Sequence, residues 1–339
     1  MSGGAGAGVS AGAARRLALP LCAVVLLVFL LLGVSFGSGS ATALDLLSPG
    51  TRAHDIVLGY RLPRVLLGAV SGAGLAAVGA AFQAVLRNPL AEPYVLGVSG
   101  GAALGATVAI ALGLESASLL GAAGVPAVAF AGGLAATAVV WTLVRAGRGG
   151  GASILLAGIV VNAIAGACIT LLEAVAEPGR IQSLVWWLMG FLDVPSWGQL
   201  AFVAVYVAAG LAVLLADAAR MNVLSLGDEP AESLGVDVRA LERRTFFACA
   251  AVVGAIVSVT GLIGFVGLVV PQALRRIVGP DLRRLLPASA LAGGATLVAC
   301  DLAVRLLEPA VHTALPVGAL TALLGGPVFL LLLRRRAVV

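Results

Sequence analysis

The sequence contains no lysine, because all 21 of its basic residues are arginine. An ATP-binding loop of the Walker A type requires a lysine beside the phosphates, so no such loop lies in this chain. A catalytic lysine that forms a Schiff base with its substrate is excluded for the same reason. If the protein depends on ATP hydrolysis of the P-loop kind, that chemistry has to come from another chain.

Charged residues are scarce as well. They make up 11% of the 339 residues, whereas a soluble domain carries about 25%. Hydrophobic residues make up 60%, and there are 45 glycines but only 5% aromatics. A soluble chain of this composition would lack polar cover for its surface, while small residues let transmembrane helices approach closely. The composition therefore predicts an all-α integral membrane protein and not a soluble enzyme.

Histidine and cysteine are too few and too scattered to suggest a metal site. The two histidines, His54 and His312, lie in predicted outside loops without a nearby cluster of acidic or cysteine residues. The four cysteines stand singly in apolar runs, as small core residues do. Neither residue type has the spacing of metal ligands. We therefore expect no metal site and no cofactor.

About ten apolar runs approach the ~20 residues that a membrane-spanning helix needs. The first is too long for the apolar part of a usual signal peptide, so we interpret it as a retained helix. The eighth is short and rich in glycine and proline, which also fits a broken or re-entrant helix covered by protein. The predicted spans are residues 17–36, 62–82, 93–113, 118–144, 153–174, 198–217, 243–260, 264–279, 285–307 and 316–333. Residues 1–14 resemble a disordered tail in composition, and residues 15–339 form a single transmembrane domain.

The arginines predict the orientation of these spans. If the N-terminus lies inside, 16 arginines fall on the inner side and five on the outer side. Arginine and lysine are enriched in cytoplasmic loops, so this asymmetry places both termini in the cytoplasm. The five outer arginines are Arg52, Arg61, Arg64, Arg180 and Arg305.

Two segments between the spans carry distinctive motifs. In the first, Asn88-Pro89 and Glu92-Pro93 interrupt the helices and predict a tight inside loop. In the second, the polar stretch from Met221 to Arg244, residues 228–234 predict a short helix that begins with acidic residues and stops at Gly235. Such a helix, within about 226–236, can dock a cytoplasmic partner or be only a solvated connector.

Asp301 lies inside the ninth predicted span, where a carboxylate is costly and faces the bundle interior or water. Arg305 follows four residues later, so the two side chains can pair along one helix face. Structural pairing and a role in coupling ions to transport both remain open for Asp301.

Seven elements, in order, resemble the FecCD family of ABC-importer permeases, and the likeness extends from about Arg61 to Arg336. They are RLPR, NPLAEP with LGVSGGA, ILLAGIVVN, WWLMG, LGDEPAESLGV, GFVGLVVP and LPVGALTALLGGPVF. Two positions depart from the family, which usually has histidine where this chain has Gln272 and Leu282.

The resemblance implies a cobalamin-permease-like bundle of about ten helices, as in type II ABC importers. It implies a non-catalytic subunit of a bacterial cytoplasmic membrane, paired with a second permease copy or a paralogue. Its other partners would be cytoplasmic ATPase subunits and an extracytoplasmic substrate-binding protein, with no nucleic acid involved. The expected cargo is a metal chelate, foremost a ferric siderophore, with cobalamin or haem as the alternatives.

The resemblance also implies roles for individual residues. The segment that couples to the ATPase contains Asp228, Glu229, Ala231, Glu232 and Gly235. The cytoplasmic gate of the translocation path contains Asn88, Pro89, Leu90 and Ser153. The arginines that dock the binding protein are Arg61, Arg64 and Arg305. Without the resemblance, Asn88 could simply cap a helix, and the arginines could pair locally with Asp55 or Asp301 or extend their charged ends to the membrane interface. Pro63 should keep the residue before it out of the helical conformation, which puts Arg61 and Arg64 at a helix mouth.

Two other classes of function compete with the permease interpretation. A secondary transporter needs coupling-ion sites, usually intramembrane acids or unwound helices, and Asp301 is the one clear carboxylate within a predicted span. A membrane enzyme needs a catalytic constellation of residues, which the sequence does not display.

Overall fold

The computed structural model describes residues 5–37, 42–114, 123–146, 151–193 and 196–334. Within these ranges the chain is helical and contains no β-strand. The helices are α1 (Ala5–Ser35), α2 (Arg52–Val85), α3 (Val98–Ala111), α4 (Gly124–Ala146), α5 (Gly151–Val175), α6 (Pro178–Met189), α7 (Trp197–Leu224), α8 (Asp228–Ser233), α9 (Val238–Thr260), α10 (Val266–Val278), α11 (Leu282–Val311) and α12 (Val317–Arg334). Residues 1–4, the predicted span start at 118–122, Arg148, Arg335 and Arg336 lie outside the described residues.

Each of the ten predicted spans contains a helix, which confirms the all-α prediction. Within the described part of the chain, seven helices are long and apolar enough to cross a membrane, namely α1, α2, α4, α5, α7, α9 and α11. Two more, α3 and α12, are apolar but shorter. The eighth predicted span corresponds to α10, whose 13 residues extend about 20 Å. A hydrocarbon core is about 30 Å thick, so α10 fits the broken or re-entrant alternative.

The sequence did not predict α6. Its 12 residues fall short of the ~20-residue length by which spans were recognised. Pro178 begins this helix, where a missing N–H costs nothing. Gly190, with φ of 74°, ends it in a left-handed conformation that glycine adopts without strain.

The expectation that Pro63 interrupts the helix is wrong. Leu62 has helical angles (φ −62°, ψ −49°), and α2 continues without a break from Arg52 to Val85. A π-helical turn over Val57–Arg61 ends two residues before the proline. Proline cannot donate to the carbonyl four residues earlier, and a π turn is a known way to absorb such an irregularity. Arg61 and Arg64 therefore lie within a helix and not at its mouth.

The N-terminal helix starts earlier than the sequence predicts. It continues back to Ala5, over residues expected to form a disordered tail. This stretch is rich in alanine, the residue with the highest helix propensity.

At the centre of the bundle is α2, which contacts α7, α9, α10 and α11. Glycines permit the closest of these approaches, as the high glycine content of the sequence predicts. A Cβ atom on Gly72 would overlap the carbonyl of Gly293 in α11, and one on Gly79 would overlap the carbonyl of Gly267 in α10. A similar crossing joins α3 to α4, where Gly101 meets Gly132. At these crossings the two backbones are in direct contact. The crossings therefore determine where the helix ends lie, and with them the candidate sites.

Candidate functional site

Three arginines and one aspartate form a cluster near the N-terminal end of α2. Asp301 of α11 is only 1% exposed. Its Oδ1 accepts a hydrogen bond from Nε of Arg64 at 3.0 Å and lies 2.9 Å from Nη2 of the same residue. Its Oδ2 lies 2.9 Å from Nε of Arg305. The predicted pairing of Asp301 with Arg305 is confirmed, and Arg64 joins it from another helix.

The C-terminal end of α1 completes this cluster. Arg305 donates from Nη1 to the carbonyls of Gly33 and Phe36, at 2.9 Å and 3.0 Å. Arg61 donates to the carbonyls of Val34 and Ser35, at 3.2 Å each. The last carbonyls of a helix have no partner within it and carry partial negative charge. They therefore compensate positive charge that one carboxylate cannot balance.

The three predicted docking arginines differ in accessibility. Arg61 and Arg305 are 5% and 7% exposed, and their guanidinium groups are engaged inside the bundle. Arg64 is 21% exposed and lines a cavity of about 640 Å³. Aromatic and acidic side chains share that cavity, among them Trp186, Trp187, Asp193 and Glu308. In this conformation, Arg64 is the arginine of the cluster that is most accessible to a second protein.

The opposite end of α2 carries the predicted coupling and gate residues. The segment Leu62–Val85 has 24 residues, so it separates the two ends by about 36 Å. The predicted short helix is present as α8, Asp228–Ser233, and Gly235 follows it with φ of 80°. The prediction of a short acidic helix that stops at this glycine is confirmed.

The side chains of α8 face in two directions. Asp228, Glu229 and Glu232 are exposed, as is Gly235. Ala231 is fully buried and belongs to the hydrophobic core of the chain itself. The helix therefore rests on the bundle through Ala231 and presents its carboxylates outward. Of the residues predicted to couple to an ATPase, Ala231 is the one whose side chain is not available to a partner.

The predicted gate residues follow α2 directly. Asn88 does not cap a helix, because its Oδ1 accepts from the N–H of Leu90 at 2.9 Å and forms a turn within the loop. The side chain of Leu90 is exposed, and Pro89 is half-buried. Ser153 is exposed on another element, in the first turn of α5.

Several polar residues around this loop were missed by sequence reasoning. Arg87 pairs with Asp228 of α8, with 3.1 Å between Nη2 and Oδ1. Gln272, noted only as a departure from the family, donates to the carbonyl of Pro89 and to the side chain of Gln83. These partners lie 141 to 189 residues apart in the sequence, so no local pattern could have joined them.

Glu92 is a further residue whose role the sequence did not reveal. Its carboxylate accepts from the N–H of Phe265 at 2.8 Å. Phe265 begins α10 with φ of 67°, a left-handed conformation that is unusual for a phenylalanine. Nearby, the Tyr94 hydroxyl accepts from the N–H of Ile263 at 3.0 Å. The segment after the loop of residues 87–90 therefore supplies hydrogen-bond acceptors to the non-helical stretch that precedes α10.

The sequence matches the FecCD transport family over residues 24–335. A cobalamin import system permease protein of Halobacterium salinarum is 46% identical over 84% of this chain and 75% of its own length. A hemin transport system permease protein of Yersinia pestis is 40% identical over 91% of this chain and 95% of its own. An Fe(3+)-citrate import system permease protein of Bacillus subtilis is 35% identical over 95% of this chain and 96% of its own.

Solved structures agree with the sequence comparison. A metal-chelate type ABC transporter in an inward-facing conformation superposes with a TM-score of 0.84. The two chains are 30% identical in sequence, and the match covers 94% of this chain and 98% of the solved one. The likeness therefore extends over nearly the whole chain.

Proposed function

Since the chain belongs to the FecCD transport family, we propose that it forms the translocation path of an ATP-driven importer that carries a ferric siderophore. It is a multi-pass membrane permease of the metal-chelate type of ABC importer. The cargo, the separate ATPase and the other partners are parts of the proposal.

The observation that carries this proposal is the exposed acidic helix α8. It contacts α7 and α9, is anchored by the buried Ala231, and presents Asp228, Glu229 and Glu232 outward. The chain has no lysine with which to build a Walker A loop. A permease that depends on ATP therefore needs a contact through which a separate ATPase can act on it. A rigid helix with an outward charged face suits that contact.

The proposed binding-protein surface lies at the other end of α2. Arg64 is the accessible arginine of the cluster there, and guanidinium groups suit bidentate contacts with carboxylates. An acidic patch on a binding protein would be oriented by such a charge. Arg61 and Arg305 are buried beneath this surface, where their hydrogen bonds hold α1 against α2 and α11.

Three cargo classes, an iron chelate, cobalamin and haem, are favoured by different relatives. The Fe(3+)-citrate permease and two probable iron chelatin permeases of Helicobacter pylori, each 35% identical to this chain, favour an iron chelate. The cobalamin permease at 46% identity favours a corrinoid as the second candidate. The hemin permease at 40% identity favours haem as a further candidate. All three are bulky chelates, so the same path can be tested with each of them.

The contact with the ATPase is tested by reversing charge on α8. The variant Glu229→Arg with Glu232→Arg is co-expressed with the cognate ATPase, and Asp55→Arg serves as control because Asp55 is an exposed acid near the far end of α2. We expect the double variant to retain less than about a tenth of the co-purifying ATPase, a factor that corresponds to ~1.4 kcal/mol of binding. Equal recovery from the double variant and the control would contradict a docking role for α8.

The cargo is tested in proteoliposomes that contain the permease, the ATPase and the binding protein. Uptake of an iron-55-labelled ferric siderophore is measured with ATP and with a non-hydrolysable analogue, alone and in the presence of unlabelled siderophore, cobalamin or haem. Uptake of labelled cobalamin is measured in parallel. ATP-dependent uptake that only the siderophore inhibits supports the proposed cargo. Uptake of cobalamin alone would replace it with the second candidate, and the absence of ATP-dependent uptake of any chelate would overturn the proposed role.

A further inference from the structure

The gate loop, defined here as residues 87–90, is hydrogen-bonded to the helix bundle at Pro89. The proposed function does not explain this contact. The carbonyl oxygen of Pro89 accepts a hydrogen bond from Nε2 of Gln272 at 2.8 Å. Gln272 lies in α10, is 7% exposed, and occupies a position where the family usually has histidine. A buried amide that reaches the backbone of an otherwise exposed loop fixes that loop to the bundle.

The side chain of Gln272 uses both amide hydrogens. One is donated to Pro89, and the other to Oε1 of Gln83 in α2 at 2.8 Å. Gln83 is itself buried and donates from Nε2 to the carbonyls of Gly267 and Leu268, at 3.5 Å and 3.3 Å. The result is a continuous chain of hydrogen bonds from the backbone of α10, through two amides, to the gate loop.

Pro271 makes this chain possible. It lies inside α10 and has no N–H to give to the carbonyl of Gly267, four residues earlier. That carbonyl needs another donor because buried backbone acceptors are rarely left unpaired. The amide of Gln83 takes this place. The sequence Pro271-Gln272 therefore both releases an acceptor for α2 and supplies the donor that holds the gate loop.

The other end of the gate loop is tied to α8. Arg87, two residues after the end of α2, has φ of 48°, a left-handed conformation in which glycine is the least strained residue. Its guanidinium pairs with both carboxylate oxygens of Asp228, at 3.1 Å and 3.2 Å. This ion pair is solvent-exposed and weak, whereas the hydrogen bonds donated by the side-chain amide of Gln272 are buried and cost more free energy to break. A displacement of α8 thus acts on a loop that is held more firmly at Pro89 than at Arg87.

We propose that Gln272 is the positioning residue that fixes the gate loop in the conformation seen here, and that the Arg87–Asp228 pair is the link through which α8 displaces it. This inference rests on the proposed function, in which α8 is the element moved by the ATPase. Gln272 sets the resting position of Leu90, and Arg87 sets its response to nucleotide.

The test follows the position of Leu90 directly. A Leu90→Cys permease, assembled with its ATPase in proteoliposomes, is labelled with a membrane-impermeant maleimide, with and without ATP and vanadate. In the parent we expect the labelling rate to differ between the two conditions. Gln272→Met has nearly the same shape but no donor, so Leu90→Cys should label at similar, fast rates in both conditions. Cargo transported per ATP hydrolysed should then fall about tenfold, which corresponds to ~1.4 kcal/mol of lost coupling. Gln182→Met, at an exposed position of α6, is the matched control.

Arg87→Gly gives the opposite signature. Glycine accepts the left-handed angle of this position without strain, so the variant removes the ion pair without burdening the fold. We expect Leu90→Cys in this background to label at the slow, nucleotide-free rate in both conditions. His312→Gly, at a left-handed position in the loop after α11, is its control. Gln272→His keeps a ring N–H donor and should restore part of the parent response, which a purely structural loss would not allow.

The outcomes separate this inference from the proposed function, because labelling requires the ATPase but no cargo. A parent response that survives in Gln272→Met, or in Arg87→Gly, would overturn the inference even if uptake is normal. A parent that labels identically with and without nucleotide would overturn it as well. A parent that responds to nucleotide but transports no chelate would leave the inference standing and contradict the proposed cargo.

Discussion

At the scale of single residues, the cluster around Asp301 has more positive than negative charge. Two guanidinium groups contact one carboxylate, and Arg61 adds a third cation within the same region. Burying a charge without compensation is expensive. The four carbonyls at the end of α1 supply the compensation, because they accept from Arg61 and Arg305 where the helix dipole is negative. Asp301 therefore places a full negative charge in the contact among α1, α2 and α11.

Removing that charge should be costly. Asp301→Asn keeps the shape of the side chain but leaves Arg64 and Arg305 without a counter-charge, and breaking a buried pair in this way costs about 3–5 kcal/mol. We expect a large drop in the thermal unfolding midpoint of the detergent-solubilised protein. Asp55→Asn, at an exposed acid of the same helix as Arg64, should change the midpoint little. Equal midpoints for the two variants would show that Asp301 is not a structural charge.

The docking arginines should separate by burial. Arg64→Gln removes an accessible charge, so we expect weaker binding-protein docking with normal membrane expression. Arg61→Gln and Arg305→Gln remove buried donors to α1, so expression and thermal stability should fall first. Docking is measured by surface plasmon resonance on protein in nanodiscs, with the exposed Arg52→Gln as control. If all three variants express normally and lose docking equally, all three arginines belong to the contact surface.

The residue scale also marks how far one sequence can be interpreted. The pair Asp301–Arg305 could be predicted, because residues four apart lie on one helix face. The third member, Arg64, is 237 residues away and arrives only through the packing of α2 on α11. The same holds for Gln83 with Gln272. A departure from a family pattern pointed to Gln272, but its partners could be found only in three dimensions.

At the scale of helices, length decided which elements the sequence could predict. Long apolar runs were found because a membrane span imposes a length of ~20 residues. The 12 residues of α6 and the unbroken course of α2 past Pro63 were missed, since neither obeys the rule applied to it. A proline usually interrupts a helix, and the π turn that accommodates Pro63 has no sequence signature of its own.

The glycine crossings give a prediction at this scale. Gly79 of α2 lies against the backbone of Gly267 in α10, and a Cβ atom there would overlap a carbonyl. Gly79→Ala should force α2 and α10 apart and cost about 1–3 kcal/mol or more, as overpacking does. Gly166 in α5 has no atom within 4 Å of an added Cβ, so Gly166→Ala is the control. Both are compared by thermal unfolding, and equal stability would mean that the crossing can relax.

At the scale of the whole molecule, burial divides the helices into two groups. In α2, α9 and α11 most of the span is buried, whereas α1, α4, α5 and α7 remain largely exposed along theirs. The exposed apolar faces of α1, α4, α5 and α7 suit contact with lipid. Of these central helices, α2 and α11 carry the arginine cluster, and the gate loop follows α2 directly. Both candidate sites are therefore connected to this buried core.

The orientation of this core is the last prediction, and the arginine contacts sharpen it. Of the five arginines on the predicted outer side, Arg61, Arg64 and Arg305 are bound within the cluster described above. Arg180 pairs with Glu177 and donates to the carbonyls of Ile110 and Ala111. Only Arg52 remains as an exposed outer arginine without such a structural reason.

The positive-inside rule concerns arginines in short loops near the membrane. Since four of the five outer arginines have structural contacts within the bundle, fewer of them count against the rule, and cytoplasmic termini are favoured. Reporter fusions after Gly150 and Arg336 should both be active on the cytoplasmic side, and a fusion after Glu177 should be active outside. The three fusions use one reporter pair, alkaline phosphatase and a fluorescent protein, with expression checked by immunoblot. An outside signal at Gly150 or Arg336 would invert the bundle, and α8 could then not face a cytoplasmic ATPase.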